Sequence, residues 1–141
     1  MTTMITGAGL VGSQIARILV DQGERPVLFD IAPNLTALAD VVEVGKVDLF
    51  RGDLLNPFDL GRVIQEHGVT RIVHTAAYPN LGAGAQENPY GAIQVNIMGT
   101  ANVLEAARLH RAERVVMIST AAVARGVAGG EDNGDSSKEE A

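Results

Sequence analysis

The sequence predicts an α/β fold: a doubly wound parallel sheet of five strands in order 3-2-1-4-5, with helices on both faces. Two observations carry this. Short apolar runs alternate along the chain with segments of helical period, the pattern of a parallel sheet covered on both sides. The first run leads straight into Gly7, Gly9 and Gly12, a G-x-G-x-x-G loop that opens a helix. Right-handed crossovers between such units wind the sheet both ways from its first strand.

The elements follow in order. "MTTMIT" is a short apolar strand. Val11, Ile15, Ile18, Leu19 and Gln22 recur at three- and four-residue steps and form one helical face, ended by Gly23. "PVLFD" (26–30) is a second strand closed by an acid. Residues 35–44 carry Leu35, Leu38, Ala39 and Val42 on one side of a short helix. "VDLFRGD" (47–53) reads as strand three. Asn56-Pro57 starts the next helix, since Asn caps and Pro suits the first turn. Its buried stripe is Leu60, Val63, Ile64 and His67, and Gly68 ends it.

"RIVHTAA" (71–77) is strand four, followed by a loop holding Gly82, Gly84, Asn88 and Pro89. A long helix then runs over residues 89–109, with Ile93, Ile97, Thr100, Leu104 and Ala107 along its buried stripe. "RVVMIST" (114–120) is strand five. From Gly126 onward the chain is acidic, aperiodic and poor in large apolar groups. Such a segment cannot offset its own ordering entropy, so residues 1–125 are expected to form the domain and 126–141 a disordered tail.

Composition removes several function classes. Hydrophobic residues make up 46% of the 141 and charged residues 20%, an ordinary globular balance. Cysteine is absent, which excludes disulfides and thiolate chemistry and fits a cytoplasmic setting. His67, His74 and His110 lack metal-ligand spacing, so no metal site is expected. Five acids and one base in residues 126–141 account for four of the six net negative charges. No Lys/Arg cluster suggests nucleic acid. The uncharged run Val115–Ala124 is ten residues, half of the about 20 that a membrane span needs.

The glycine loop gains meaning from its context. Gly7 permits a tight turn, Gly9 lets a pyrophosphate approach the backbone, and Gly12 lets the helix pack close to the sheet. The helix N-terminus then turns its N–H groups toward the anion. Asp30 lies 18 residues after Gly12 at the end of strand two, near the spacing at which a carboxylate accepts from the adenosine ribose 2′-OH. It would repel a 2′-phosphate, and Ile31, Ala32 and Pro33 supply no arginine to counter it. NAD is therefore expected over NADP. His74 points away from Thr75 along its strand and reads as a satisfied core histidine.

With "TGAGLVGS", "LFD", "RGDLLNP", "VHTAA", "NPYGAIQVNIMGTANVLEAAR" and "VVMISTAAV" in order, the sequence resembles the N-terminal part of the NAD-dependent epimerase/dehydratase family, the extended short-chain dehydrogenases/reductases of nucleotide sugars. The resemblance implies a Rossmann-type sheet, C-terminally incomplete, whose uncovered surface suits an oligomer or a partner chain. It also implies roles. Leu10 and Val11 match loop positions at the pyrophosphate. Asp30, with Ile31 beside it, matches the ribose acid. Asp53 and Leu54 match the pair at the adenine, Thr75, Ala76 and Ala77 the nicotinamide side, and Asn96 a helix position near the cofactor. Thr120 matches the Ser/Thr that bonds substrate during catalysis.

Two departures stand against the resemblance. The family loop is G-x-x-G-x-x-G, one residue longer. The family's Tyr-x-x-x-Lys, which handles the proton during hydride transfer, has no match: Gly82 and Gln94 stand four residues after Tyr78 and Tyr90. Three readings follow. The chain is the NAD-binding portion of an epimerase/dehydratase-type oxidoreductase, inactive alone; or it is a non-catalytic NAD-responsive module; or it is a truncated product. A nucleotide-sugar substrate is expected only if a C-terminal part completes the site.

Overall fold

The computed structural model describes residues 1–79 and 83–121. The acidic tail, the end of the 1–125 domain and Gly82 of the expected loop lie outside them. β1 (Thr2–Thr6), β2 (Val27–Asp30), β3 (Asp48–Arg51), β4 (Val69–His74) and β5 (Arg114–Met117) form one sheet in the order β3-β2-β1-β4-β5. Every pairing is parallel, with Met4 opposite Val27 and Ile72, Phe29 opposite Phe50, and Val73 opposite Val116. The expected sheet is the observed one.

Alternation along the central strands builds two cores, because successive side chains point to opposite faces. Met4, Val27, Phe29 and Ile72 face α3 (Pro57–His67) and α6 (Thr100–Leu109), where Leu60, Val63 and Val103 meet them. Ile5 and Leu28 face α1 (Leu10–Asp21) and α2 (Leu35–Ala39), where Ala16 and Leu38 meet them. Phe29 and Phe50 stack across β2 and β3 at 5.7 Å.

The α3 punctuation works as read. The Asn56 side chain accepts from the Phe58 N–H, Pro57 follows, and Gly68 caps the C-terminus with φ 58°. An Asn cap of this kind contributes about 1 kcal/mol. The 35–44 segment is shorter than expected: α2 ends at Ala39, and a 3₁₀ turn at Val44–Lys46 leads into β3. Only half of the expected face is buried: Leu38 and Val42 are covered, whereas Leu35 and Ala39 are exposed. The expected loop around Gly84 forms one short helix, α4 (Ala83–Glu87).

Two helical faces differ from expectation. In α1 the buried positions are Gly12, Ser13 and Ala16, with Ile15 and Leu19 partly covered, while Val11 and Ile18 are exposed. The helix lies too close to the sheet for large side chains. The 89–109 segment is not one α-helix. α5 (Pro89–Ile93) passes into a π-helical stretch, Gln94–Gly99, before α6. Ala92, Gly99, Val103, Ala106 and Ala107 are buried; of the expected stripe, Ile93, Ile97 and Leu104 are 54%, 60% and 44% exposed. The widened turn rotates the following face, and small residues again occupy the tight contact: a Cβ on Gly99 would meet Leu54 Cβ at 3.3 Å.

β5 is one edge of the sheet among the described residues, β3 being the other. Val116, Met117 and Ile118 are each about half exposed. Among the described residues no helix is long and apolar enough to cross a membrane.

Candidate functional site

A cleft of about 580 Å³ opens where β1 to β4 end, the edge at which open α/β sheets take ligands. Gly7, Gly9, Leu10, Val11 and Gly12 form its first wall. Asp30 and Ile31 leave β2 on one side, Asp53 and Leu54 follow β3, and Thr75, Ala76 and Ala77 follow β4. Five separate sequence segments, these four and Val95, thus meet in one cavity, within the volume range of small-molecule sites.

The three loop glycines play three physical parts. Gly7 has φ 90°, its N–H donates to the Phe29 carbonyl at 2.8 Å, and an added Cβ would lie 3.0 Å from the Ala76 backbone. Gly12 is the tightest point of the helix–sheet contact: its Cβ would sit 1.8 Å from the Gly7 carbonyl oxygen. Gly9 differs, since an added Cβ would meet nothing within 4 Å. Its bare backbone faces the cleft. Gly9 also caps α1 without a side-chain bond, so the first N–H groups of the helix, at Leu10 to Gly12, keep their capacity to donate. Ser13 N–H is the first to bond back, to the Gly9 carbonyl at 2.9 Å.

Asp30 ties two loops together. Its Oδ2 accepts from the Ala8 N–H at 2.7 Å and its Oδ1 from the Ala32 N–H at 2.8 Å. Asp53 holds its own turn, with Oδ1 accepting from the Leu55 N–H at 2.9 Å. Thr75 Oγ1 donates to the Thr6 carbonyl at 2.7 Å, which fixes the end of β4 against β1.

Behind the cleft a chain of polar contacts runs from the exposed Asn96 backbone to the buried His74 and Thr6. Thr100 Oγ1 donates its one proton to the Asn96 carbonyl at 2.7 Å. It must therefore accept from His74 Nε2–H at 2.9 Å, leaving His74 Nδ1 to accept from Thr6 Oγ1–H at 2.6 Å. His74 is held as the neutral Nε2–H tautomer, and burial pushes its pKa down. It is a bonded core histidine.

Two expected residues stand outside the cleft lining. The Asn96 side chain accepts from the Tyr78 N–H at 2.8 Å. It braces the strand-four loop from behind while its neighbour Val95 reaches the cavity. Thr120 is exposed, three residues past the end of β5, and does not line the cleft. Sequence reasoning missed Phe29, Gly52, Tyr78, Pro79 and Val95, all of which line it. Gly52 had a signal beside Asp53: a Cβ there would strike the Phe29 ring at 2.5 Å. Among the described residues no group of three or more His, Asp or Glu is placed to hold a metal ion.

The model of the NAD dependent epimerase/dehydratase family matches residues 3–140. A UDP-glucose 4-epimerase of Yersinia enterocolitica is 30% identical over 128 residues, covering 87% of this chain and 38% of that protein. A 3 beta-hydroxysteroid dehydrogenase/Delta 5-->4-isomerase of Mycobacterium tuberculosis is 32% identical over 132 residues, covering 89% and 34%. Among solved structures, the Thermus thermophilus UDP-glucose 4-epimerase in complex with NAD superposes with a TM-score of 0.74 at 31% identity, covering 85% of this chain and 38% of that one. The chain therefore spans little more than a third of the relatives it matches.

Proposed function

Because the chain belongs to the NAD dependent epimerase/dehydratase family, we propose that its cleft holds NAD and that these 141 residues are the cofactor-binding portion of an oxidoreductase acting on nucleotide sugars. The observation that carries the reading is the bare backbone of Gly9 facing the cleft at the uncapped start of α1. A pyrophosphate fits there: no side chain blocks it, and N–H groups are available to donate. Leu10, Val11 and Gly12 would hold the phosphates, Asp30 the adenosine ribose, Asp53 and Leu54 the adenine, and Thr75 to Ala77 the nicotinamide side. Asn96 supports that side through Tyr78.

The bound cofactor would supply a hydride acceptor. This chain's own residues bind and orient it. A completed chain would take a hydride from a sugar carbon and either return it or follow it with elimination, with Thr120 bonding the substrate. The 141 residues hold no Tyr-x-x-x-Lys, so the isolated chain binds without turnover. The half-exposed Val116, Met117 and Ile118 support a further part of the fold, a partner chain or a second copy against β5. A cytoplasmic setting completes the reading.

Thermal unfolding with added cofactor tests it. A ligand that binds only the native state must raise the midpoint. NAD is expected to do so, and more than NADP, because Asp30 repels a 2′-phosphate. No shift with NAD at millimolar concentration sinks the reading. Hydride transfer from UDP- or dTDP-sugars by the isolated chain would refute the claim that it is inactive alone.

A further inference from the structure

Arg51 stands directly beside Asp30 in the β2–β3 register. Paired residues of adjacent parallel strands project to the same side of the sheet, so the cation and the ribose carboxylate share a face. The Arg51 Nε–H donates to the Ile31 carbonyl at 3.0 Å, and Ile31 is itself a wall of the cleft. Arg51 also lines a shallow hollow with Pro33, Leu35 and Leu49, and that hollow shares Ala32 with the cleft. None of the ion pairs among the described residues involves Arg51. A charged fork is thus pinned by one nitrogen against the β2–α2 loop, with no ion pair to an acid among the described residues.

The carboxylate beside it is partly occupied. Each Asp30 oxygen already accepts a backbone N–H, from Ala8 and from Ala32. These bonds spread its charge into the loops while leaving each oxygen a further lone pair for a hydroxyl. A 2′-phosphate projecting past Asp30 toward Ala32 would bring about −1.5 to −2 charges and three acceptor oxygens. The planar guanidinium is suited to meet it with two parallel bonds.

We propose that Arg51 is a specificity-determining residue of the cofactor site, which admits 2′-phosphorylated dinucleotides into a pocket whose carboxylate favours the unphosphorylated ones. The arginine that the β2–α2 loop lacks in sequence is delivered from β3, 21 positions after Asp30. The inference rests on the dinucleotide reading above. It adds that NADP binds more weakly than NAD but measurably, and that Arg51 sets the ratio.

The test is binding of four probes, NAD, NADP, 5′-ADP and adenosine 2′,5′-bisphosphate, to the 141-residue chain by calorimetry at low and high salt. Arg51→Ala should weaken NADP and the bisphosphate about five- to tenfold, with NAD and 5′-ADP within about twofold. Arg51→Lys should recover part of that loss, since it keeps the charge and loses the fork. Added salt should weaken the bisphosphate more than 5′-ADP in the parent chain and erase much of that difference in Arg51→Ala. If NAD binds and the NADP-to-NAD ratio is unchanged in Arg51→Ala, this inference alone is overturned. If the parent chain binds none of the four probes, the cofactor reading falls and takes the inference with it.

Discussion

β1 and β5 are both short, apolar and parallel to β4, yet they live in different environments. β1 has β2 on one side, β4 on the other and a helix layer over each face; Met4, Ile5 and Thr6 are fully buried. Among the described residues β5 pairs with β4 alone, and Arg114, Val116 and Met117 are exposed. The contrast teaches that burial in this sheet is set by place in the strand order rather than by a strand's own composition. The candidate cofactor cleft follows that division. It gathers at the ends of β1, β2 and β4, takes Gly52, Asp53 and Leu54 from the end of the other edge strand, β3, and touches none of β5.

The largest test of the contrast is a pair of truncations. Ile5→Ala should cost about 3 kcal/mol of unfolding free energy, because a buried β1 side chain leaves a cavity. Val116→Ala should stay within about 0.5 kcal/mol. Urea denaturation measures both. A large loss at Val116 would mean that β5 is covered in solution.

Next come two glycines three residues apart. Gly12→Ala should cost about 2–3 kcal/mol, since its Cβ would collide with the Gly7 carbonyl at 1.8 Å. Gly9→Ala should cost only about 0.5–1 kcal/mol as a poorer helix cap, but should reduce the stabilisation by NAD. Equal behaviour of the two in calorimetry would break the distinction between a packing glycine and a ligand-facing one.

A smaller effect is expected at His74, on the strand between β1 and β5. Burial lowers its pKa in the folded state, so the unfolded chain binds the proton more readily. His74 then favours folding above its ordinary value of 6.5, and that contribution is lost as pH falls from there through the lowered folded value. Urea midpoints between about pH 8 and 5 should decline, and His74→Gln should flatten the decline. A slope unchanged in the variant would place the titration elsewhere.

The smallest effect lies at the opposite end of the strands. Arg71 on β4 reaches Glu24 through Nη2, at 2.6 and 2.8 Å from its two carboxylate oxygens. That bond, above all, holds the Glu24 carboxyl below its usual value of 4.5. Partial exposure limits the pair, so Glu24→Gln should cost about 1 kcal/mol or less near pH 7. The difference from the parent should shrink as pH falls below about 4.5, where the unfolded carboxyl is already protonated. A constant difference down to about pH 3 would show that the ion pair is not its source.

What was legible in the sequence follows the same division. Strand order and α3 were readable because each rests on local signals: apolar runs of strand length, Asn56-Pro57 before the helix and Gly68 after it. The cleft walls were readable where glycines and acids mark strand ends. The faces of α1 and of the 89–109 segment were not. Periodicity assumes that the large apolar residues go inward, whereas both helices approach the sheet on Gly12, Ala16, Gly99 and Ala106. The π-helical stretch also changes the residue count per turn without any marker that a period of about 3.6 residues would detect. Val95 reaches the cleft from that stretch, and Asn96 in the same stretch accepts from the Tyr78 N–H.

The 3-2-1-4-5 order also has a consequence in time. During synthesis β1 emerges first, but its two neighbours arrive separately. β2 is complete at Asp30 and β4 only at His74. At roughly 5–20 residues per second, one edge of the future central strand stays open on the ribosome for several seconds. Through that interval a segment that ends fully buried has one edge unpaired, with Met4 and Ile5 waiting for a strand not yet made.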